Sequence, residues 1–131
     1  MRKSIPLTWR KIPERYRMLG VFCSSCSTPY FPSRLICPKC RRKGKLQPKE
    51  FLGEGEVYSF TQIFAAPEGF AEQVPYFLAL IKLSEGPILT AQVVDTQELS
   101  IGDKVVAVFR VIQKDDPEGL IHYGFKFRIS K

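Results

Sequence analysis

Four cysteines constrain this chain more than any other feature: Cys23-Ser-Ser-Cys26 and Cys37-Pro-Lys-Cys40, separated by ten residues. Two Cys-x-x-Cys hooks brought together present four thiolates, the tetrahedral sulfur set that suits Zn²⁺ and, in the same cage, iron. One hook alone is a weak signal; two at this separation are a strong one. The gap is shorter than is usual for paired hooks, yet it accommodates two turns joined by a hairpin, as in a rubredoxin-like zinc ribbon. The chain has no other cysteine, so none remains for a second role. Two disulfides or a redox dithiol are the competing readings. No apolar leader points to an oxidising compartment and no βαβ pattern frames either hook, so a bound metal and a cytoplasmic setting are expected. A site with four protein ligands keeps no open position, which makes its expected role structural.

Charge divides the chain at about the same place. Residues 1–50 hold thirteen Lys/Arg against two Asp/Glu, a formal +11, whereas residues 51–131 hold seven against eleven, a formal −4. Four thiolates around one Zn²⁺ lower the first part by two, to +9. A basic head on a mildly acidic body predicts an anionic partner at the head: nucleic acid, a phosphorylated cofactor or an acidic protein face. A solvated surface that only aids solubility is the alternative. No apolar run is long enough to span a membrane.

Three segments follow from the pattern: a helical docking arm over 1–19, the ribbon over 20–48 and a barrel over 49–131. Trp9, Ile12, Tyr16 and Leu19 recur at helical spacing, and Pro13 predicts a break between two short helices. The arm cannot bury its apolar stripe alone, so it docks on its own domain or on a partner, with Trp9 as a candidate anchor. In the ribbon, Tyr30, Phe31 and Ile36 are expected to cover the metal, and residues 43–50 to link ribbon to barrel. Small metal modules draw most of their folding free energy, on the order of 10 kcal/mol, from the ion.

Residues 51–131 alternate as strands over 55–63, 76–83, 88–94, 104–112 and 121–129, with an acidic turn at 115–119. Five such strands suit a small barrel of the oligonucleotide/oligosaccharide-binding (OB) type, where an immunoglobulin-like sandwich would want about seven. The nearly all-apolar stretch 76–83 predicts a strand buried on both faces. In 121–129 the residues Ile121, Tyr123, Phe125, Phe127 and Ile129 share one face and are expected inside, leaving His122 on the surface. No nucleophile with a base, no phosphate loop and no paired acid and base emerge from the sequence, so a non-catalytic role is expected. Single-stranded nucleic acid is the alternative, with Tyr58, Phe60, Tyr123, Phe125 and Phe127 as candidate stacking residues; against it, the barrel is acidic and the alternation in 121–129 reads its aromatics as core.

Beyond these readings, Trp9 with Arg15-Tyr16-Arg17, the block from Cys23 through Tyr30-Phe31-Pro32-x-Arg34 to Cys40, Gly55-x-Val57-Tyr58-Ser59, Pro75-Tyr76-x-x-Ala79-Leu80-Ile81 and Ile101-Gly102-x-x-Val105 form a distinctive order. This order resembles the two-domain zinc-ribbon/OB-fold proteins of the DUF35 family. Ser27 and Arg41 stand where that family usually has glycine, which predicts strained knuckles. The resemblance implies a mainly β protein acting as an acyl-CoA-associated accessory subunit. Its implied partners are a thiolase-family enzyme, HMG-CoA synthase and a coenzyme A thioester. Arg34, Lys39, Arg41 and Arg42 are then expected near CoA phosphates or a thiolase surface, and Phe70 and Tyr76 near the pantetheine arm.

Overall fold

Pro13 divides the N-terminal arm as the sequence predicts. The computed structural model describes residues 5–68, 70–114 and 120–130, beginning with helices α1 (Ile5–Arg10) and α2 (Ile12–Arg17). Pro13 falls in the first turn of α2, where its missing N–H leaves no hydrogen bond unmade. The helix stops at Met18, whose left-handed φ of 50° lets its N–H donate to the Pro13 carbonyl. The two helices meet different fates. Tyr16 of α2 sets its ring edge against Phe109 at 5.0 Å, and Phe109 stacks on Tyr123 at 5.3 Å, so α2 lies on its own barrel. On α1, Ile5, Leu7 and Trp9 stay exposed. Leu19, the last member of the expected stripe, already belongs to a strand.

The ribbon is a three-stranded sheet ordered β2-β1-β3, built from β1 (Leu19–Cys23), β2 (Thr28–Tyr30) and β3 (Leu46–Glu50). The stretch expected as a linker therefore ends in a strand: Leu46 to Glu50 pair with Cys23 to Leu19. Pro48 is tolerated because β3 is an edge strand and owes no ladder bond on its outer side. Gly20 lets the sheet close over the barrel. A Cβ there would stand 2.5 Å from the Tyr30 carbonyl oxygen and 2.6 Å from the Phe51 ring.

The five expected barrel strands are all present: β4 (Glu54–Ile63), β5 (Tyr76–Leu83), β6 (Ile88–Val94), β7 (Lys104–Lys114) and β8 (Ile121–Ile129). They close in the order β4-β5-β6-β8-β7, a five-stranded OB-fold barrel. Its interior holds Val57, Ile81, Leu83, Val105 and Phe127, each almost fully buried. The expected acidic turn at 115–119 lies outside the described residues.

Three expectations need correction. Strand β5 is not buried on both faces: Phe77, Ala79, Ile81 and Leu83 point inward while Leu80 and Lys82 are exposed. A barrel strand has one interior face, and apolar content alone does not say how many faces are covered. Strand β8 keeps Phe127 inside, but Ile121, expected on the same inner face, is 46% exposed, and His122, expected on the surface, is buried at 4%. The outward face of β8 is covered where α2 crosses it; the arm supplies a second layer that periodicity cannot see. Of the residues expected over the metal, Ile36 is 62% exposed and Phe31 turns instead to Phe51 and Phe125 of the barrel.

Ribbon and barrel are fused by aromatic rings. Phe31 packs against Phe51 at 5.6 Å and against Phe125 at 5.5 Å, joining the strand return of the ribbon to β8. Phe31 and Phe51 are both buried in the same core cluster as the barrel residues. Phe51→Ala removes one ring of this set, a buried member of the shared core, and is expected to destabilise the metal-loaded protein by about 3–5 kcal/mol, read by urea denaturation.

Candidate metal centre and ligand-facing surfaces

Cys23 ends β1, Cys26 follows in the turn, and Cys37 and Cys40 sit in a second knuckle closed by an isolated bridge between Cys37 and Arg41. This brings all four Sγ atoms within 4.8 Å of one another. Cys23 Sγ lies 3.9 Å from Cys40 Sγ, and Cys26 Sγ lies 3.6 Å from Cys37 Sγ. A tetrahedron with metal–sulfur bonds near 2.3 Å has sulfur–sulfur edges of about 3.8 Å, so the set fits such an ion. A disulfide needs sulfurs roughly 2.05 Å apart, and all four thiols are free. The cluster can hold a metal such as zinc.

The backbone prepares these thiols unequally. Burial raises Cys37, but the Cys40 N–H at 3.4 Å, the Tyr30 hydroxyl at 3.6 Å and the Lys39 N–H outweigh it, leaving the thiol at about 6 instead of 9.0. At Cys23 burial also raises the value, and the N–H groups of Cys26 and Lys45 reverse it to below the ordinary range. Cys40 is pushed up to about 12 by burial and then by the neighbouring sulfurs. Tyr30, bound to the Cys37 sulfur, is raised to about 12 and keeps its proton for donation.

Metal uptake near neutral pH must therefore displace the Cys40 proton. Protons compete with the metal, so affinity falls as pH falls, and more steeply once Cys37 begins to protonate near 6. Competition with a chromophoric chelator between pH 8 and pH 5.5 is expected to show this steepening, with one metal bound per chain by elemental analysis.

The strained knuckles are found where the sequence places them. Ser27 has φ 56° and Arg41 has φ 53°, the left-handed region that a side chain enters at a cost of roughly 1–2 kcal/mol. Ser27→Gly should recover about 1 kcal/mol of stability in the metal-loaded protein, less the added freedom of the unfolded chain, read from the urea midpoint.

The remaining sequence-nominated residues form three separate sets. Arg34, Lys39, Arg41 and Arg42 are all exposed on the second knuckle and its approach. Arg34 lies over the Tyr30 ring at 5.7 Å, and Lys39 donates to Thr28 Oγ1 at 3.3 Å. Leu35, between Arg34 and Ile36, is 99% exposed, an apolar tip that sequence reasoning did not single out. Trp9 is 74% exposed on α1. Phe70 and Tyr76 meet at 6.2 Å and line one cleft on the barrel wall. Phe125 and Phe127 pack with the core, which removes them as base-stacking platforms.

That cleft also contains residues the sequence reading missed: Arg15, His122 and Lys126. A signal for them existed in Gly124. A Cβ there would come within 3.1 Å of the Ile112 side chain and 3.7 Å of the Arg15 carbonyl oxygen. A glycine inside a strand marks a close approach, here of α2 to β8.

A four-cysteine ribbon joined to an OB barrel defines the class. The profile describing the C-terminal OB-fold domain of ChsH2 matches residues 49–110. Archaeal relatives are described as DUF35 domain-containing scaffold proteins. The one from Methanocaldococcus jannaschii is 46% identical over 128 residues, covering 96% of this chain and 91% of that one. A solved structure described as an Ltp2-ChsH2(DUF35) aldolase superposes with a TM-score of 0.70 at 26% identity, over 98% of this chain and 96% of that chain. A probable enoyl-CoA hydratase alpha subunit from Thermomonospora curvata is 30% identical over 75% of this chain, which spans 31% of that protein. The chain belongs to the DUF35 family of scaffold proteins.

Proposed function

We propose that this protein is a non-catalytic scaffold that docks a thiolase-type enzyme, and with it HMG-CoA synthase, and helps hold the acyl-CoA passed between them. The observation that carries this reading is the ribbon tip. Leu35 and Ile36 are exposed between Arg34 on one side and Lys39, Arg41 and Arg42 on the other, an apolar anchor within a cationic rim. Apolar centres with charged rims are how protein interfaces combine affinity with steering. Trp9 adds a second anchor, of the residue type most often found as an interface hot spot. The description of archaeal relatives as scaffolds supports the docking role. The aldolase described for the solved neighbour supports a partner enzyme, and the hydratase subunit supports acyl-CoA chemistry.

In this reading the four cysteines hold a structural Zn²⁺ as thiolates and keep the tip rigid, in a reducing cytoplasm that does not oxidise them to disulfides. Arg41 and Arg42 face the phosphates of CoA or an acidic enzyme surface. Phe70 and Tyr76 face the pantetheine arm. No helix among the described residues is long and apolar enough to cross a membrane.

A tagged pull-down from source lysate, treated with nuclease, tests the reading. Recovery of a thiolase-type enzyme, unchanged by nuclease, is the expected result. Replacement of Arg41 and Arg42 by Glu should weaken that capture at least tenfold, and Trp9→Ala should cost about 2 kcal/mol of binding. Nuclease-sensitive recovery of ribosomal or replication proteins would instead make this a nucleic-acid-binding ribbon and barrel.

A further inference from the structure

The barrel closes between β6 and β8 through Val93↔Phe127 and Val94↔Arg128. Beyond those pairs, residues 90–92 and 122–126 line opposite walls of a cleft of about 380 Å³. Phe70, Tyr76, Leu78 and Ile112 make much of its surface apolar. Lys126 belongs to the same cleft and is only 6% exposed. Its Nζ donates to Gln73 Oε1 at 3.0 Å, and Gln73 is itself held by donating from Nε2 to the Ile112 carbonyl at 2.9 Å.

An ammonium group so placed is poorly compensated. The cleft lining contains no Asp or Glu, and among the described residues no carboxylate forms an ion pair with Lys126. Arg15 adds a second cation to the wall. Burial, and then the charge of Arg110, lower the Lys126 pKa, the direction expected of a cation lacking an anionic partner. Buried charges ordinarily come paired. A lysine buried against a neutral amide, in the wall of a largely apolar cleft, leaves the place of the anion open.

We propose that this cleft binds an amphiphilic organic anion, a monocarboxylate whose head group meets Lys126 and whose short apolar chain lies between Phe70, Tyr76 and Leu78. At roughly 30 Å³ for each non-hydrogen atom the space holds about a dozen, so an acid of roughly six to eight carbons fits. Clefts of this size, largely apolar with a few placed polar groups, are typical small-ligand sites. The site shares Phe70 and Tyr76 with the acyl-CoA reading but does not rest on it: its determinant is the cation, and its ligand is a free acid.

Calorimetric titration of the full-length, metal-loaded chain with hexanoate, hexan-1-ol and inorganic phosphate tests this. Saturable hexanoate binding is expected, at least tenfold tighter than hexanol, with phosphate not binding in the cleft. Amide shifts at Tyr123, Gly124 and Phe125 on adding hexanoate would locate it. Lys126→Met should lose at least tenfold of hexanoate affinity while keeping whatever weak affinity hexanol has. If that variant fails to fold, Tyr76→Ala serves in its place and should also weaken hexanoate. Absence of saturable hexanoate binding, equal binding of hexanol, phosphate competing for the same shifts, or full affinity in the folded Lys126→Met variant would each overturn the proposal. Partner capture through the ribbon is read in the same preparations; its failure in the parent chain would remove the docking reading and leave hexanoate binding standing.

Discussion

Four sulfur atoms held within 4.8 Å of one another are the constraint on which the N-terminal half depends. The ribbon has little apolar interior of its own: its buried side chains are the cysteines Cys23 and Cys37, and Phe31, which faces the barrel. Backbone N–H groups aimed at the sulfurs favour the thiolate at Cys23 and Cys37, and the two left-handed knuckle residues show how tightly the chain turns to deliver them. A turn that strained persists only when something stronger fixes it, and four metal–sulfur bonds would do so. The barrel, by contrast, rests on ordinary hydrophobic burial around Ile81 and Phe127.

The sequence made the architecture readable because each element carried an undiluted local signal. Cysteine spacing marked both knuckles, Pro13 marked the helix break, and all five barrel strands emerged from alternation and turn residues. What it hid were faces covered by something distant in sequence. His122 and Lys126 occupy the face that alternation assigns to solvent, and they are buried where α2 packs on β8 and where Phe70 and Gln73 lie beside them. Strand β5 misled in the opposite direction, since Leu80 is apolar by composition yet exposed by position. Period-two patterning reports which residues share a face; it does not report whether that face is covered.

The nominated binding residues divide along the same line. Arg34, Lys39, Arg41 and Arg42 are surface residues, and their placement follows from the cysteines they flank. Phe70 and Tyr76 come together across a loop and a strand start, and their partners in the cleft were invisible to any local rule. Leu35 escaped notice for a different reason: no local rule tells which apolar residue of a metal module faces solvent, and this one, beside Ile36, is 99% exposed.

The third ribbon strand has a mechanical meaning. Leu46–Glu50 pairs along the full length of β1, and the next residue, Phe51, is already clamped between the Phe31 ring and the barrel core. No slack segment separates the knuckles from the OB fold, so a push on the tip is transmitted as through a short lever. An enzyme docked at Leu35 and its neighbouring cations, as proposed, would thereby also set the bearing of the cleft on the far element. On the proposed docking the protein would serve as a jig, held at one end and keeping the other in register.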